Sequence, residues 1–140
     1  MKRLLVAVLM LMMVLVGCKY DVKESESTGT EIFYTEEKLN EVKQLAKQAF
    51  EYKDHYLILI QYNNKESYEF IENLSNCTKI ATALYNENHK ELAEIFDNLG
   101  LAGKYFSLWK DSGKLNHYAD ATSYYNEAER LYKKLTASQR

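Results

Sequence analysis

Residues 115–136, LNHYADATSYYNEAERLYKKLT, carry the pattern that decides the fold. Apolar side chains recur every three or four positions along this stretch, which places them on one face of an α-helix. On the opposite face Glu129 precedes Lys133 by four residues, a spacing that pairs opposite charges on a helix surface. The stretch therefore predicts an amphipathic helix. Its apolar face consists of Tyr118, Ala121, Tyr125, Ala128, Tyr132 and Leu135.

The segment from Thr35 to Tyr62 has similar spacing and predicts the first helix of the domain. Thr35 is a suitable N-cap, and the two glutamates after it place negative charge at the positive end of the helix dipole. The run 56–60 is apolar throughout and could also form a short buried strand. Because no glycine or proline separates this run from the preceding residues, we favour one helix, whose apolar spacing is interrupted by Lys53.

A second helix is predicted to follow Asn63 and Asn64, which break the pattern, with Asn64 as a plausible cap. Its apolar positions run from Tyr68 to Tyr85, and residues 86–88 interrupt the pattern again.

A third helix is predicted to begin at Asn88, which forms a capping-box pattern with Glu91. Gly100 and Gly103 lie inside the apolar pattern of this helix, and two explanations stay open. Either they allow a neighbouring helix to approach closely, or the helix ends with Gly100 as its C-terminal stop. Residues 111–113 end the segment in both cases. Together the segments predict an all-α fold, an antiparallel bundle of three or four helices over residues 35–137.

The N-terminus has the composition of an export signal. Lys2 and Arg3 are followed by an uninterrupted apolar run from Leu4 to Val16. A membrane-spanning helix needs about 20 apolar residues, so this run is too short to span. A basic start and an apolar segment of this length predict a secretory signal peptide over residues 1–17.

The end of the apolar run, Leu15-Val16-Gly17-Cys18, resembles the lipobox of bacterial lipoproteins. An ordinary signal-peptide site would need a smaller residue than Leu15 at that place. The resemblance implies a diacylglyceryl thioether on the Cys18 sulfur, acyl chains such as palmitate, and cleavage between Gly17 and Cys18. Because two acyl chains hold a protein stably, it implies a lipid-anchored location on the extracytoplasmic face of the cell membrane. An outer membrane is the alternative if the host has two membranes.

Residues 18–34 are expected to form the lipidated N-terminus and a flexible tether. The stretch 24–30, ESESTGT, is polar and lacks an apolar period, which is typical of disorder. A flexible chain of fifteen residues has a root-mean-square reach of about 20 Å. We therefore expect the domain to act close to the membrane.

The charge balance excludes one class of partner. Loss of Lys2 and Arg3 with the signal peptide leaves 16 basic and 20 acidic side chains, a formal net charge of −4. Such a balance argues against binding to nucleic acid. Lipidation of Cys18 would leave Cys77 without a partner in the same chain. Cys77 is then a small buried apolar residue or, alternatively, the site of an intermolecular disulfide.

Tyrosine is the one residue in clear excess, with twelve in 140 residues. Tyr118, Tyr125 and Tyr132 are seven residues apart and form one stripe on the last helix. A tyrosine has an apolar body and a polar tip, which suits the rim of a core and a protein interface alike. The stripe either packs inside with its hydroxyls at the surface or, with Trp109, lines a groove for a peptide or partner helix.

No pattern in the chain predicts catalysis, a metal site or a cofactor. His55, His89 and His117 are spread over three helices, without metal-ligand spacing. Neither a glycine-rich phosphate loop nor a nucleophile motif appears. We therefore expect a non-catalytic binding or accessory lipoprotein with a protein or peptide partner at the cell envelope. An immunity or exclusion lipoprotein of a mobile element and an envelope enzyme with an unrecognised site are the alternatives.

One resemblance reaches the helical part. The residues Phe96, Leu99 and Gly100, followed by Ala121, Tyr125 and Ala128, resemble the order of large and small positions in a tetratricopeptide repeat. The spacing between the two halves differs from that repeat, and Gly103 stands where the repeat has a tyrosine. The resemblance implies helical-hairpin packing and peptide binding.

Overall fold

The structure, a computed structural model, describes residues 34–62 and 65–139. The predicted signal peptide, lipobox and tether, and the Asn63–Asn64 break, lie outside these residues. The described chain is helical and contains no strand, which confirms the all-α prediction. Its helices are α1 (Glu36–Glu51), α2 (Lys53–Gln61), α3 (Lys65–Asn86), α4 (Lys90–Ser112) and α5 (Leu115–Ser138).

The helices form four antiparallel segments, because α1 and α2 follow one another as a single arm. Side-chain contacts join the end of α2 to the start of α5 and the end of α4 to the start of α3. We call this part of the bundle, residues 58–62, 65–70 and 105–118, the distal end. The opposite entry end contains Tyr34, the α3–α4 turn at 87–89 and the last turn of α5. There the Tyr34 N–H donates to Glu87 Oε2 at 2.6 Å.

The first arm starts as predicted but is divided. Thr35 is the N-cap of α1, and its hydroxyl accepts a hydrogen bond from the Lys38 N–H at 3.3 Å. Tyr52 interrupts the arm with φ −104° and ψ 14°, so the single helix expected over 35–62 is two. The run 56–60, for which a strand was the alternative, is helical.

The α3–α4 turn differs from the predicted capping box. Asn88 has φ 65°, a left-handed conformation that asparagine tolerates, and its N–H donates to the Tyr85 carbonyl. The next N–H, of His89, donates to the Leu84 carbonyl at 2.9 Å. This pair of bonds is a Schellman motif, which ends a helix. Asn88 therefore terminates α3, and α4 begins after His89 without a side-chain cap.

Gly100 and Gly103 lie where α4 crosses α3. A Cβ added at Gly100 would lie 2.9 Å from the Thr78 nitrogen, and one at Gly103 would lie 2.7 Å from the Leu74 carbonyl carbon. Both distances are too short for a real Cβ, so the glycines admit the backbone of α3. The helix continues to Ser112 and ends at Gly113, whose φ is 68°. Close approach is thus the correct explanation.

Candidate functional site

The middle of the tyrosine stripe is a core residue. Tyr125 has no exposed surface, and its ring lies 6.1 Å from that of Phe50 in an edge-to-face arrangement. Its hydroxyl donates to the carbonyl of Ala49, one of the last four carbonyls of α1. A helix leaves those carbonyls without an internal partner, so the bond satisfies one of them. Burial raises the pKa of Tyr125 well above 10. Of the two explanations of the stripe, Tyr125 therefore fits packing inside the core, and it presents no surface to a partner in this structure.

The other members of the stripe separate. Tyr132 is half-buried, and its ring lies 5.3 Å from Phe50 near the middle of the bundle. Tyr118 is half-buried at the distal end, where its ring meets Trp109 edge to face at 5.0 Å. The structure therefore brings together two of the four residues predicted to bind a partner. For Tyr118, Tyr132 and Trp109 partner binding stays a prediction.

Polar contacts extend the Trp109–Tyr118 pair to the other two segments of the bundle. On one side, Gln61 Nε2 donates to the Tyr118 hydroxyl at 3.0 Å, which ties α2 to α5. On the other side, Lys110 Nζ lies over the rings of Tyr68 and Trp109, at 4.9 Å and 5.6 Å from their centroids. Attraction between a cation and ring faces holds such an arrangement. The distal end thus contains a connected layer of side chains from four helices, with rings from α3, α4 and α5 and Gln61 from α2, which we call the aromatic layer.

Lys110 is placed within this layer by a buried partner. Its ammonium donates to Oγ of Ser67, a fully buried side chain on α3, at 3.1 Å. The surrounding protein withdraws water from the ammonium and lowers the pKa of Lys110. The hydrogen bond to Ser67 therefore fixes the position of the Lys110 side chain along the aromatic layer.

Several large apolar side chains of the distal end project into solvent. Tyr62 is 77 % exposed and Leu115 is 78 % exposed. Three others, each between about one third and about one half exposed, are Ile58, Tyr68 and Leu108. We call these five residues, with Trp109 and Tyr118, the distal surface.

Sequence reasoning missed most of the distal surface. The signal was present in α2, where five consecutive apolar residues occupy a nine-residue helix. A helix beside a core buries one face, so an apolar run on all faces leaves some side chains outside. Only Tyr56 and Ile60 of this run are buried, and Ile58 projects outward one turn before Tyr62.

The charged cluster in the middle of the bundle has a structural explanation. Lys53, which interrupts the apolar spacing of the first arm, pairs with Glu129 of α5 and donates to Asn126 Oδ1 at 3.1 Å. Glu129 also pairs with Lys133 at 2.9 Å, as the four-residue spacing predicted. Hydrogen bonds from Lys53 and then Lys133 lower the pKa of Glu129. The cluster joins α2 to α5.

The cysteine and histidines show no reactive arrangement among the described residues. Cys77 is fully buried, and burial raises its pKa to about 12, so little thiolate forms. The buried apolar explanation of Cys77 is correct, because a thiol without exposed surface cannot meet another chain. Within residues 34–62 and 65–139 no group of three His, Cys, Asp or Glu side chains could hold a metal ion.

Comparisons of the chain with protein-family models, with curated proteins and with solved structures found no match. The lipoprotein and tetratricopeptide resemblances therefore remain sequence-based predictions. No helix in the described part of the chain combines the length and apolar character needed to cross a bilayer.

Proposed function

We propose that this protein is a non-catalytic lipoprotein that binds a protein partner on the extracytoplasmic side of a bacterial membrane. The lipobox supports the anchor, with Cys18 as the lipidated residue and Gly17–Cys18 as the cleavage site. The distal surface supports the binding role, and it is the observation on which the proposal depends. Five of the six large apolar side chains that are exposed among the described residues belong to the distal end, and such grouping favours an interface, because burying them together removes apolar area from water.

The aromatic layer gives this surface the properties of a binding site. Tyrosine and tryptophan supply large contact area at a small cost in side-chain entropy, and both are enriched at protein interfaces. Tyr118, Trp109 and Lys110 are held by contacts that join four helices. A partner would therefore meet side chains that already have fixed positions, which reduces the entropy lost on binding.

The chain supplies a matched pair of cysteine variants for a test of the anchor. In intact cells fed an alkyne-labelled palmitate, the wild type and Cys77→Ala should carry label. Cys18→Ala should carry none and should accumulate as the longer precursor. A lysine-reactive cross-linker should join the wild type to a second protein in the membrane fraction. Label on Cys18→Ala, or a wild-type protein recovered from the cytosol, would contradict the anchor.

A further inference from the structure

We infer that the distal surface docks a protein with an apolar, uncharged face, and that the lipid bilayer does not cover it. The inference deepens the proposed function and rests on its lipid anchor. A lipid-anchored domain with exposed tyrosine, leucine and isoleucine has two natural occupants for that surface. One is the nearby bilayer, whose interface takes aromatic and aliphatic side chains, and the other is a protein.

The position of the chain entry favours a protein. The described chain begins at Tyr34, whose N–H is held by Glu87 at the entry end. Helix α5 has 24 residues and runs from the distal end to the entry end. At 1.5 Å per residue, it spans about 36 Å. The distal surface therefore lies about one bundle length from the point where the tether joins the domain.

The length of the predicted tether can be compared with this distance. Fifteen residues separate Cys18 from Tyr34, and a flexible chain of that length has a root-mean-square reach of about 20 Å. With the distal surface on the bilayer, Tyr34 would lie about 36 Å from the membrane, farther than the root-mean-square reach of about 20 Å that the predicted tether would have. A tether of this reach therefore favours orientations in which the distal surface points away from the membrane.

The charges of the distal end also favour a protein over the bilayer. Its side chains include equal numbers of both signs: Lys65, Lys110 and Lys114, and Glu66, Glu69 and Asp111. Surfaces that bind anionic lipid head groups carry an excess of lysine and arginine, because each adds attraction to the negative leaflet. The distal end has no such excess. An apolar face with balanced charge at its margin fits a protein interface, with a hydrophobic centre and a polar rim.

The bilayer can be tested directly because Trp109 is the only tryptophan and lies at the distal end. The mature lipidated protein would be reconstituted into vesicles of phosphatidylethanolamine and phosphatidylglycerol, with or without brominated acyl chains. We expect the protein to float with the vesicles and its Trp109 emission to be the same in both. Quenching by the brominated chains would overturn the inference. Failure to float would instead contradict the anchor, so the two failures are distinguishable.

The protein occupant is tested in intact cells with a photo-cross-linking amino acid at position 62. Gln44, exposed on α1, provides the control position. Position 62 should give one adduct with another protein, and position 44 should not. Leu115→Asp should weaken the adduct about tenfold or more, the effect of losing one interface anchor, whereas Gln44→Asp should leave it unchanged. A phospholipid adduct, an adduct with a second copy of this chain, equal adducts from both positions, or no adduct would overturn the inference.

Discussion

The middle of the bundle and its distal end both contain tyrosines, but the rings and hydroxyls have different surroundings in the two regions. In the middle, Tyr56 and Tyr125 are buried, and the Tyr125 ring meets that of Phe50 edge to face at 6.1 Å. The Tyr125 hydroxyl meets a backbone carbonyl. At the distal end, the ring of Tyr62 faces water and the hydroxyl of Tyr118 meets an exposed glutamine. The same residue type therefore contributes to folding in one region and is available for binding in the other.

The difference follows from how many helices surround each position. Tyr125 projects from α5 toward the first arm, close to the interruption at Tyr52, and contacts α1 through both its ring and its hydroxyl. Tyr62 and Leu115 lie at the ends of helices, where the chain turns and no further helix of the described bundle covers them. Position along the bundle, and not residue type, decides the role.

The largest effect is expected from removing a ring in each region. Tyr125→Ala should lower the free energy of unfolding by about 3–5 kcal/mol, because it loses a buried ring and leaves a cavity. Tyr62→Ala should change it by less than about 0.5 kcal/mol, because the ring is exposed. Urea denaturation of the two variants measures both values. Equal decreases in the free energy of unfolding would show that the two regions do not differ in how much a tyrosine ring contributes to folding.

A smaller effect is expected from removing only a hydroxyl. Tyr125→Phe should cost about 1–3 kcal/mol, because the Ala49 carbonyl is then buried without a partner. Tyr118→Phe should cost less than about 0.5 kcal/mol, because its partner Gln61 is exposed and water can replace the bond. Thermal unfolding of the pair, followed by circular dichroism, tests this. A Tyr125→Phe variant as stable as Tyr118→Phe would mean that the Ala49 bond contributes nothing.

Local patterns in the sequence account for the helices and several of their ends. Apolar spacing is a property of neighbouring residues, so it identified the helical segments, and Thr35 and Gly113 marked two termini. The turn at Asn88 was misread because asparagine serves both as an N-cap and in the left-handed conformation that ends a helix. The sequence around it contains Glu91, which favoured the first reading. Only the backbone angle of Asn88 separates the two.

The distal surface could not be predicted in the same way. Exposure depends on which helices pack together, and spacing within one helix does not contain that information. The stripe at 118, 125 and 132 is real as a helix face, but its members meet Trp109, Ala49 and Phe50 in different parts of the bundle. Likewise, no glycine or proline in the sequence marks the interruption of the first arm at Tyr52. Long-range contacts decided these features.

The smallest effect concerns the charged cluster of Lys53, Glu129 and Lys133 in the middle of the bundle. Because hydrogen bonds from Lys53 and Lys133 lower the folded-state pKa of Glu129 below 4.5, its carboxylate stabilises the fold at neutral pH. This contribution is complete above the unfolded pKa near 4.5 and is lost as the pH falls through the lower, folded value. Glu129→Gln should therefore cost about 1 kcal/mol at pH 7, since the pair is only partly exposed.

The pH dependence of this cost separates Glu129 from an ordinary surface carboxylate. The difference in the free energy of unfolding between wild type and Glu129→Gln should decrease below pH 4.5, because protonation of Glu129 makes the two side chains alike. Glu127→Gln is the matched control, because Glu127 pairs with Arg130 on the exposed side of the same helix. Glu127→Gln should change the free energy of unfolding, measured by urea denaturation, little at pH 7 or below pH 4.5. If the difference in the free energy of unfolding between wild type and Glu129→Gln does not change with pH, the charge of Glu129 contributes nothing, and Lys53 joins α2 to α5 by packing alone.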